Sequence, residues 1–206
     1  MSIHIYTGLP GSGKTFAVTM IALKYLKQNR DVYCNYDIKW NGANFHKFNS
    51  PSDLFNIQKG IIILDEAQVY FNSRQWQNLP IQWQLFLQQH RHDGLDIYGT
   101  TQNIGRIDTV FRNLISNFYV CKNLYNKIVR ITEYEPDHAE RKRRERLSRK
   151  WVFLTKKRFA LYDTRQKIAP PTHLDKRCPT CFQFLTSKRK PRGRGFQLHA
   201  LDPSKI

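Results

Sequence analysis

Gly8-Leu9-Pro10-Gly11-Ser12-Gly13-Lys14-Thr15 decides how the rest of this 206-residue chain reads. Glycine, four residues, then Gly-Lys-Ser/Thr is the spacing of a phosphate-binding loop. The flanks suit it: residues 2–7, with Ile3 and Ile5, read as a short strand, and residues 16–28 as a helix. Glycines let the backbone bend until successive N–H groups face one anion. The helix that follows turns its positive end to the same point. Gly8, Pro10, Gly11, Ser12 and Gly13 would form that cradle. Lys14 would reach the β- and γ-phosphates of a nucleotide, and Thr15 would put its hydroxyl on Mg²⁺.

Downstream, Lys59-Gly60 punctuates the chain and Ile61-Ile62-Ile63-Leu64 runs into Asp65-Glu66. Four consecutive aliphatics bounded by turn residues suit a central parallel strand buried on both faces. Asp65 at its end would hold Mg²⁺, directly or through water. Glu66 would orient and activate the attacking water as the base. Residues 31–37 alternate like a strand and stand between the loop and the acids. They point to the branch of P-loop NTPases in which an additional strand separates the loop strand from the acid strand. The expected fold is α/β, a three-layer sandwich on a mainly parallel central sheet, with nucleotide at the carboxyl edge of the strands. The Asn-Lys-x-Asp run that reads guanine is absent, since Asn126-Lys127 leads into Ile128-Val129.

Working outward, Ser50-Pro51-Ser52-Asp53 has a helix-start pattern leading into Leu54, Phe55 and Ile57. Leu79, Trp83, Phe86 or Leu87, and His90 fall at helical spacing, which makes Trp83 a packing residue. His90-Arg91-His92-Asp93-Gly94 has the cations and glycine of a helix end. Residues 95–101 read as the next strand. Gln102 at its tip would lie beside the γ-phosphate and sense it. Residues 104–115 read as a helix carrying Arg106 and Arg112, and 118–121 with 128–133 as a hairpin closing the sheet. An arginine from a neighbouring subunit would complete the site, with Arg112 the first candidate and Arg91 the second.

The charge is uneven. Residues 1–135 hold 14 Lys/Arg against 10 Asp/Glu, whereas residues 136–206 hold 20 against 6. A near-neutral body with a basic C-terminal third implies a polyanionic partner: nucleic acid first, an anionic membrane surface second. Residues 138–158 alone carry ten basic residues against two acidic ones, including Arg141 to Arg144. That exceeds what solubility asks for and favours phosphate-backbone binding without base readout. Glu140, Arg144 and Leu147 permit a helix there, and residues 151–154 a strand. Cys178-Pro179-Thr180-Cys181 is half of a zinc ribbon by spacing. A four-coordinate Zn²⁺ site would need His173, His199 or a neighbouring subunit's cysteines as well. Cys34 and Cys121 fall in strand-like runs, unlike a disulfide framework. Lys188 to Arg194 resembles a disordered basic arm. The organisation expected is an ATPase domain at 1–135, a basic extension at 136–170 and a basic, Cys-containing tail at 171–206. No run approaches the roughly 18 apolar residues of a spanning helix, and the first residues lack the layout of a signal peptide.

The phosphate loop, Leu64-Asp65-Glu66-Ala67-Gln68, the run His90-Arg91-His92-x-Gly94-x-Asp96 and Thr101-Gln102 follow one another in that order. Together they resemble the N-terminal ATPase domain of the zonula occludens toxin (Zot) family, which includes filamentous-phage assembly ATPases and is similar in core to FtsK/HerA motors. The resemblance covers residues 1–135 and extends to Tyr162-Asp163-Thr164. It implies ATP with Mg²⁺, virion morphogenesis, DNA packaged or extruded by a homo-oligomeric ring or filament, and capsid or membrane-associated assembly partners. It further implies residence in the host cytoplasm, at the membrane periphery or in the virion. Family members commonly carry a membrane span after this domain. The lack of one here shifts the expectation from anchored extrusion towards packaging. Two other classes use the same loop: a small-molecule kinase, which needs an arginine-rich lid, and a non-catalytic nucleic-acid-binding protein.

Overall fold

β4 (Gly60–Leu64) is buried along its whole length, as its unbroken aliphatic run requires. Ile61 and Ile63 enter one apolar layer, Ile62 and Leu64 the other. Around it the computed structural model describes residues 1–55, 57–72, 81–135, 146–155 and 160–162. The other strands are β1 (Ile3–Thr7), β2 (Val32–Cys34), β3 (Phe45–Lys47), β5 (Leu95–Thr101), β6 (Ile115–Leu124), β7 (Ile128–Tyr134) and β8 (Arg146–Phe153). The helices are α1 (Lys14–Lys27), α2 (Ile81–Gln89) and α3 (Thr109–Asn113). The eight strands form one sheet in the order β3-β2-β4-β5-β1-β6-β7-β8. The first six run parallel; β7 pairs antiparallel with β6, and β8 antiparallel with β7.

α1 covers one face through Phe16, Ala17, Val18, Ala22, Leu23 and Leu26. Phe71, Phe86, Leu87, Ile107 and Phe111 cover the other. This is the expected three-layer sandwich, with one correction of detail. The strand between β1 and β4 is β5, whereas residues 32–34 lie on the far side of β4. At Gly99 of β5 an added Cβ would stand 2.7 Å from Ile5 Cδ1 and 3.3 Å from Ala67 Cβ, so the turn after β4 presses directly onto the strand.

Three local expectations give way. The helix expected at 104–115 divides into a short 3-10 turn at Ile104–Arg106 and α3. Asp108 accepts from Val110 N at 2.8 Å and so starts a new helix there. Ile115 already belongs to β6. The pattern at Ser50 yields only a 3-10 turn, Pro51–Leu54. Leu147, read as helical, lies in β8, because the strand register along β7 runs from Tyr134–Arg146 to Ile128–Phe153. Trp83's side chain, Arg141 to Arg144, His173, Cys178, Cys181, Lys188 to Arg194 and the whole of 171–206 lie outside the described residues. Among the described residues no helix is long and apolar enough to cross a membrane.

The boundary expected at 135 falls inside the sheet. β8 pairs along the full length of β7. Tyr162 is 6% exposed, packs edge-on against Tyr36 and bridges to Ile38. A chain cut at Glu135 would leave β7 as a bare edge and remove Tyr162 from the core. Each large apolar side chain so uncovered costs about 1.5–3 kcal/mol, a large share of a stability of about 5–15 kcal/mol. We expect that chain to aggregate or to melt well below one ending at residue 170, as size-exclusion chromatography and thermal unfolding would register. Equal melting would mean β8 and Tyr162 contribute nothing.

Candidate nucleotide site

The loop between β1 and α1 takes the shape its glycines permit. Gly8, Gly11 and Gly13 all have positive φ, at 152°, 73° and 89°. Space forbids a side chain at two of them. A Cβ at Gly8 would lie 2.6 Å from both Cys121 O and Ser12 Oγ, and one at Gly13 2.4 Å from Val129 Cγ2. Nothing lies within 4 Å of a Cβ at Gly11, and Leu9 is 79% exposed, so the loop's outer side is open. Ser12 Oγ is buried with no hydrogen-bond partner, an orphan polar group close to Gly8. Lys14 folds back on the loop, its Nζ donating to Gly8 O at 3.0 Å and Leu9 O at 3.2 Å.

Opposite the loop stands Asp65. Its carboxylate accepts from Thr15 Oγ1 (3.0 and 3.1 Å to the two oxygens) and from Thr100 Oγ1 at 2.6 Å. Burial pushes its pKa above the ordinary carboxylate value. The Thr100 and Thr15 hydroxyls act against that, Glu66 adds to it and Lys14 opposes it. The backbone of Asp65 is held as firmly. Asn35 Oδ1 accepts from Asp65 N at 2.9 Å, while Asn35 Nδ2 donates to Asp65 O at 2.9 Å and to Tyr70 Oη at 3.3 Å. Sequence reasoning missed Asn35, Thr100 and Tyr70. A polar residue at the end of each buried strand was the only signal available.

Glu66 takes φ 51°, ψ 53°, the left-handed region, at a cost of about 1–3 kcal/mol for a residue with a side chain. The reversal aims consecutive carboxylates apart, Asp65 inward and Glu66 towards Gln68 and Gln102. Gln68 Nε2 donates to Glu66 Oε2, and Gln102 Nε2 stands 3.5 Å from Glu66 Oε1. Glu66 N donates to Thr100 Oγ1 at 3.0 Å, so one threonine hydroxyl registers both acids.

Thr15, Asp65, Glu66 and Gln102 are thus brought together with the loop. The two candidate arginines are not. Arg112 Nη2 donates to Thr109 Oγ1 at 2.8 Å, and the strand that follows α3 begins by pairing Ile115 with Ile3. Ile3 starts β1, so Arg112, three residues before its partner Ile115, lies towards the sheet edge opposite the loop. Arg91 is exposed and precedes β5 at that same edge. The run His90 to Asp96 is structural there. Gly94 has φ 72°, and the Asp96 carboxylate accepts from Ser2 N at 2.9 Å with Arg30 at 3.8 Å.

A hydroxyl and a carboxylate in contact form a hard-oxygen pair of the kind Mg²⁺ takes when phosphates fill its remaining positions. The donor set therefore fits the ion. Among the described residues no group of three or more His, Cys, Asp or Glu gathers as a fuller metal site. Cys34 and Cys121 are buried free thiols, and burial pushes Cys121 up to about 12.

A phosphate loop facing an Asp–Glu pair, with one strand interposed, defines a P-loop NTPase of the additional-strand branch. The chain belongs to the zonular occludens toxin (Zot) family, whose model matches residues 45–169. No curated protein matches it. Among solved structures, it is similar to the N-terminal domain of zonular occludens toxin from Neisseria meningitidis. The two are 24% identical, over 79% of this chain and 98% of that one, with a TM-score of 0.57. It is similar also to the genome packaging NTPase B204 from Sulfolobus turreted icosahedral virus 2 in complex with ATP-gammaS. Here identity is 12%, over 73% and 96%, with a TM-score of 0.53. At these identities the likeness is one of fold.

The raised pKa of Asp65 predicts an asymmetric mutant. A group whose folded pKa exceeds its unfolded value loses stability as pH rises through the folded value, so at neutral pH the buried charge weighs against the free protein. Asp65→Asn keeps an acceptor for Thr15 and Thr100 while removing that charge. It should raise the melting temperature without ligand by a few degrees, at roughly 2–4 °C per kcal/mol for this size, and abolish Mg²⁺-dependent turnover. A lower melting temperature would show that the carboxylate itself stabilises the fold.

Proposed function

We propose that this protein hydrolyses ATP with Mg²⁺ as a motor of virion morphogenesis, coupling turnover to the packaging or extrusion of DNA. Family membership and the likeness to a protein described as a genome packaging NTPase support the morphogenesis part. The observation that carries the chemistry is the pair of amides, Gln68 and Gln102, on the Glu66 carboxylate beside Asp65 and Thr15.

In this reading Lys14 leaves the carbonyls of Gly8 and Leu9 for the phosphates. Gly8, Pro10, Gly11, Ser12 and Gly13 wrap them, with the Ser12 hydroxyl gaining a partner. Thr15 Oγ1 and Asp65 would hold Mg²⁺, whose charge neutralises that developing on the phosphate oxygens. Glu66 accepts the proton of the attacking water. Gln102, reaching both Glu66 and the strand tip, senses the terminal phosphate. The ion would match the Asp65 charge, which burial disfavours. The protein works as a homo-oligomer in the host cytoplasm, with the C-terminal third contributing DNA contacts.

Glu66→Gln should bind ATP as the parent does and lose most of its hydrolysis, whereas Lys14→Ala should lose binding itself. Both are read by nucleotide binding and phosphate release, with and without single- and double-stranded DNA. Turnover at the parent rate in Glu66→Gln would remove the assigned base, and ATP binding without any hydrolysis by the parent would leave a non-catalytic binding protein.

Arg112, remote from its own loop, belongs to the proposal only across a subunit interface. An arginine supplied in this way is worth roughly 10³-fold or more in rate. Turnover per subunit should therefore rise with protein concentration. Mixing Arg112→Ala with Lys14→Ala, each inactive alone, should restore part of the activity. Concentration-independent turnover with no rescue would leave a simple P-loop enzyme.

A further inference from the structure

The outer half of the sheet has two unlike faces. Cys121, Val129, Ile131 and Val152 join the layer under α1. The opposite face continues from Phe118, Val120 and Tyr134, where the apolar layer of that side ends among the described residues. Register fixes what lies beyond. Val120 pairs with Thr132 and Thr132 with Arg149; Lys122 pairs with Arg130 and Arg130 with Trp151; Leu124 pairs with Ile128 and Ile128 with Phe153. Paired residues share a face, so Lys122, Arg130, Arg149, Trp151 and Phe153 stand on one side, with Arg146 opposite Tyr134 at its end.

That face has no acidic residue among the described positions of β6, β7 and β8; Glu133 lies on the other face with Tyr119 and Ser148. Lys122, Arg146 and Arg149 are exposed. Trp151 is 50% exposed and Phe153 63%, although such side chains ordinarily seek cover. A charged edge strand by itself is a common guard against aggregation. A half-exposed Trp on it serves the opposite end. Aromatic side chains two residues apart on a strand stand about 6.6 Å apart, with cations beside them for phosphates. This is the composition of a stacking platform for unpaired bases.

We propose that the β6–β8 face binds single-stranded DNA, with Trp151 stacking a base and Lys122, Arg130 and Arg149 meeting the backbone. The inference rests on the DNA-coupling reading above and places the principal contact on the sheet, with only β8 coming from the C-terminal third. It also supplies a route to the nucleotide. Two of these strands, β6 and β7, also border the phosphate loop: Cys121 O and Val129 close the space at Gly8 and Gly13, and Asn123 Nδ2 donates to Gly11 O at 3.2 Å. A strand seated on one face therefore bears on the loop through the thickness of one sheet.

The test uses the full chain and fluorescence anisotropy with labelled oligothymidylate and with a mixed-sequence duplex, at several salt concentrations. Trp151→Ala should weaken oligothymidylate binding roughly ten-fold, and Trp151→Phe should restore most of it, in line with the worth of one stacked base. Lys122→Gln and Arg149→Gln should each lower the salt slope by about 0.7 on the single strand. Turnover of Trp151→Ala without DNA should match the parent, which checks folding, while its stimulation by oligothymidylate is lost. Unchanged single-strand affinity in Trp151→Ala would overturn the proposal and leave the motor reading standing. So would loss of oligomer mass in that variant at unchanged affinity, which would assign the face to a second copy of the chain. If the parent bound neither polymer, the DNA-coupling reading would fall as well.

Discussion

The buried carboxylate of Asp65 is the constraint on which this structure turns. Its side chain joins Thr15 at the start of α1 to Thr100 in β5, and its main chain is clasped by Asn35 just past β2. Three separate elements are thereby registered on the acid that follows β4. Burying that carboxylate is costly, and burial pushes its pKa upward. The surrounding hydroxyls and amide are what make that cost bearable to the fold. On the proposed function, a cation held there would offset that cost.

What was legible in the sequence was local. The phosphate loop is a contiguous spacing with strand and helix flanks, and β4 is a contiguous aliphatic run, so both could be read without knowing their neighbours. Asn35 and Thr100 could not, since each acts on a residue about thirty or more positions away and leaves no periodic trace. The interposed strand was inferred from the wrong segment for the same reason. Sequence order put residues 31–37 between the landmarks, whereas sheet order puts β5 there. The break before α3 hung on a single cap, Asp108. In β8, dense charge obscured an alternation that pairing with β7 makes plain.

The run His90 to Asp96 teaches a different lesson. It was the most distinctive feature in the chain, yet it ties the first residues and Arg30 to the edge opposite the phosphates. Within one chain, distinctiveness in sequence marked a joint of the frame. The outer strands show the converse: residues that look like undifferentiated charge sort by register into an acid-free face and a packed one.

Lys14 gives the loop one further property. Its ammonium donates to the carbonyls of Gly8 and Leu9, so the loop's own carbonyls hold its cation as a plug. A neutral molecule of the right shape offers nothing that would draw this plug outward, because the carbonyls it would leave behind are good acceptors. Only a ligand carrying concentrated negative charge can compete for it. On the proposed function the loop would filter by charge before fit, through the same side chain that would grip what it admits.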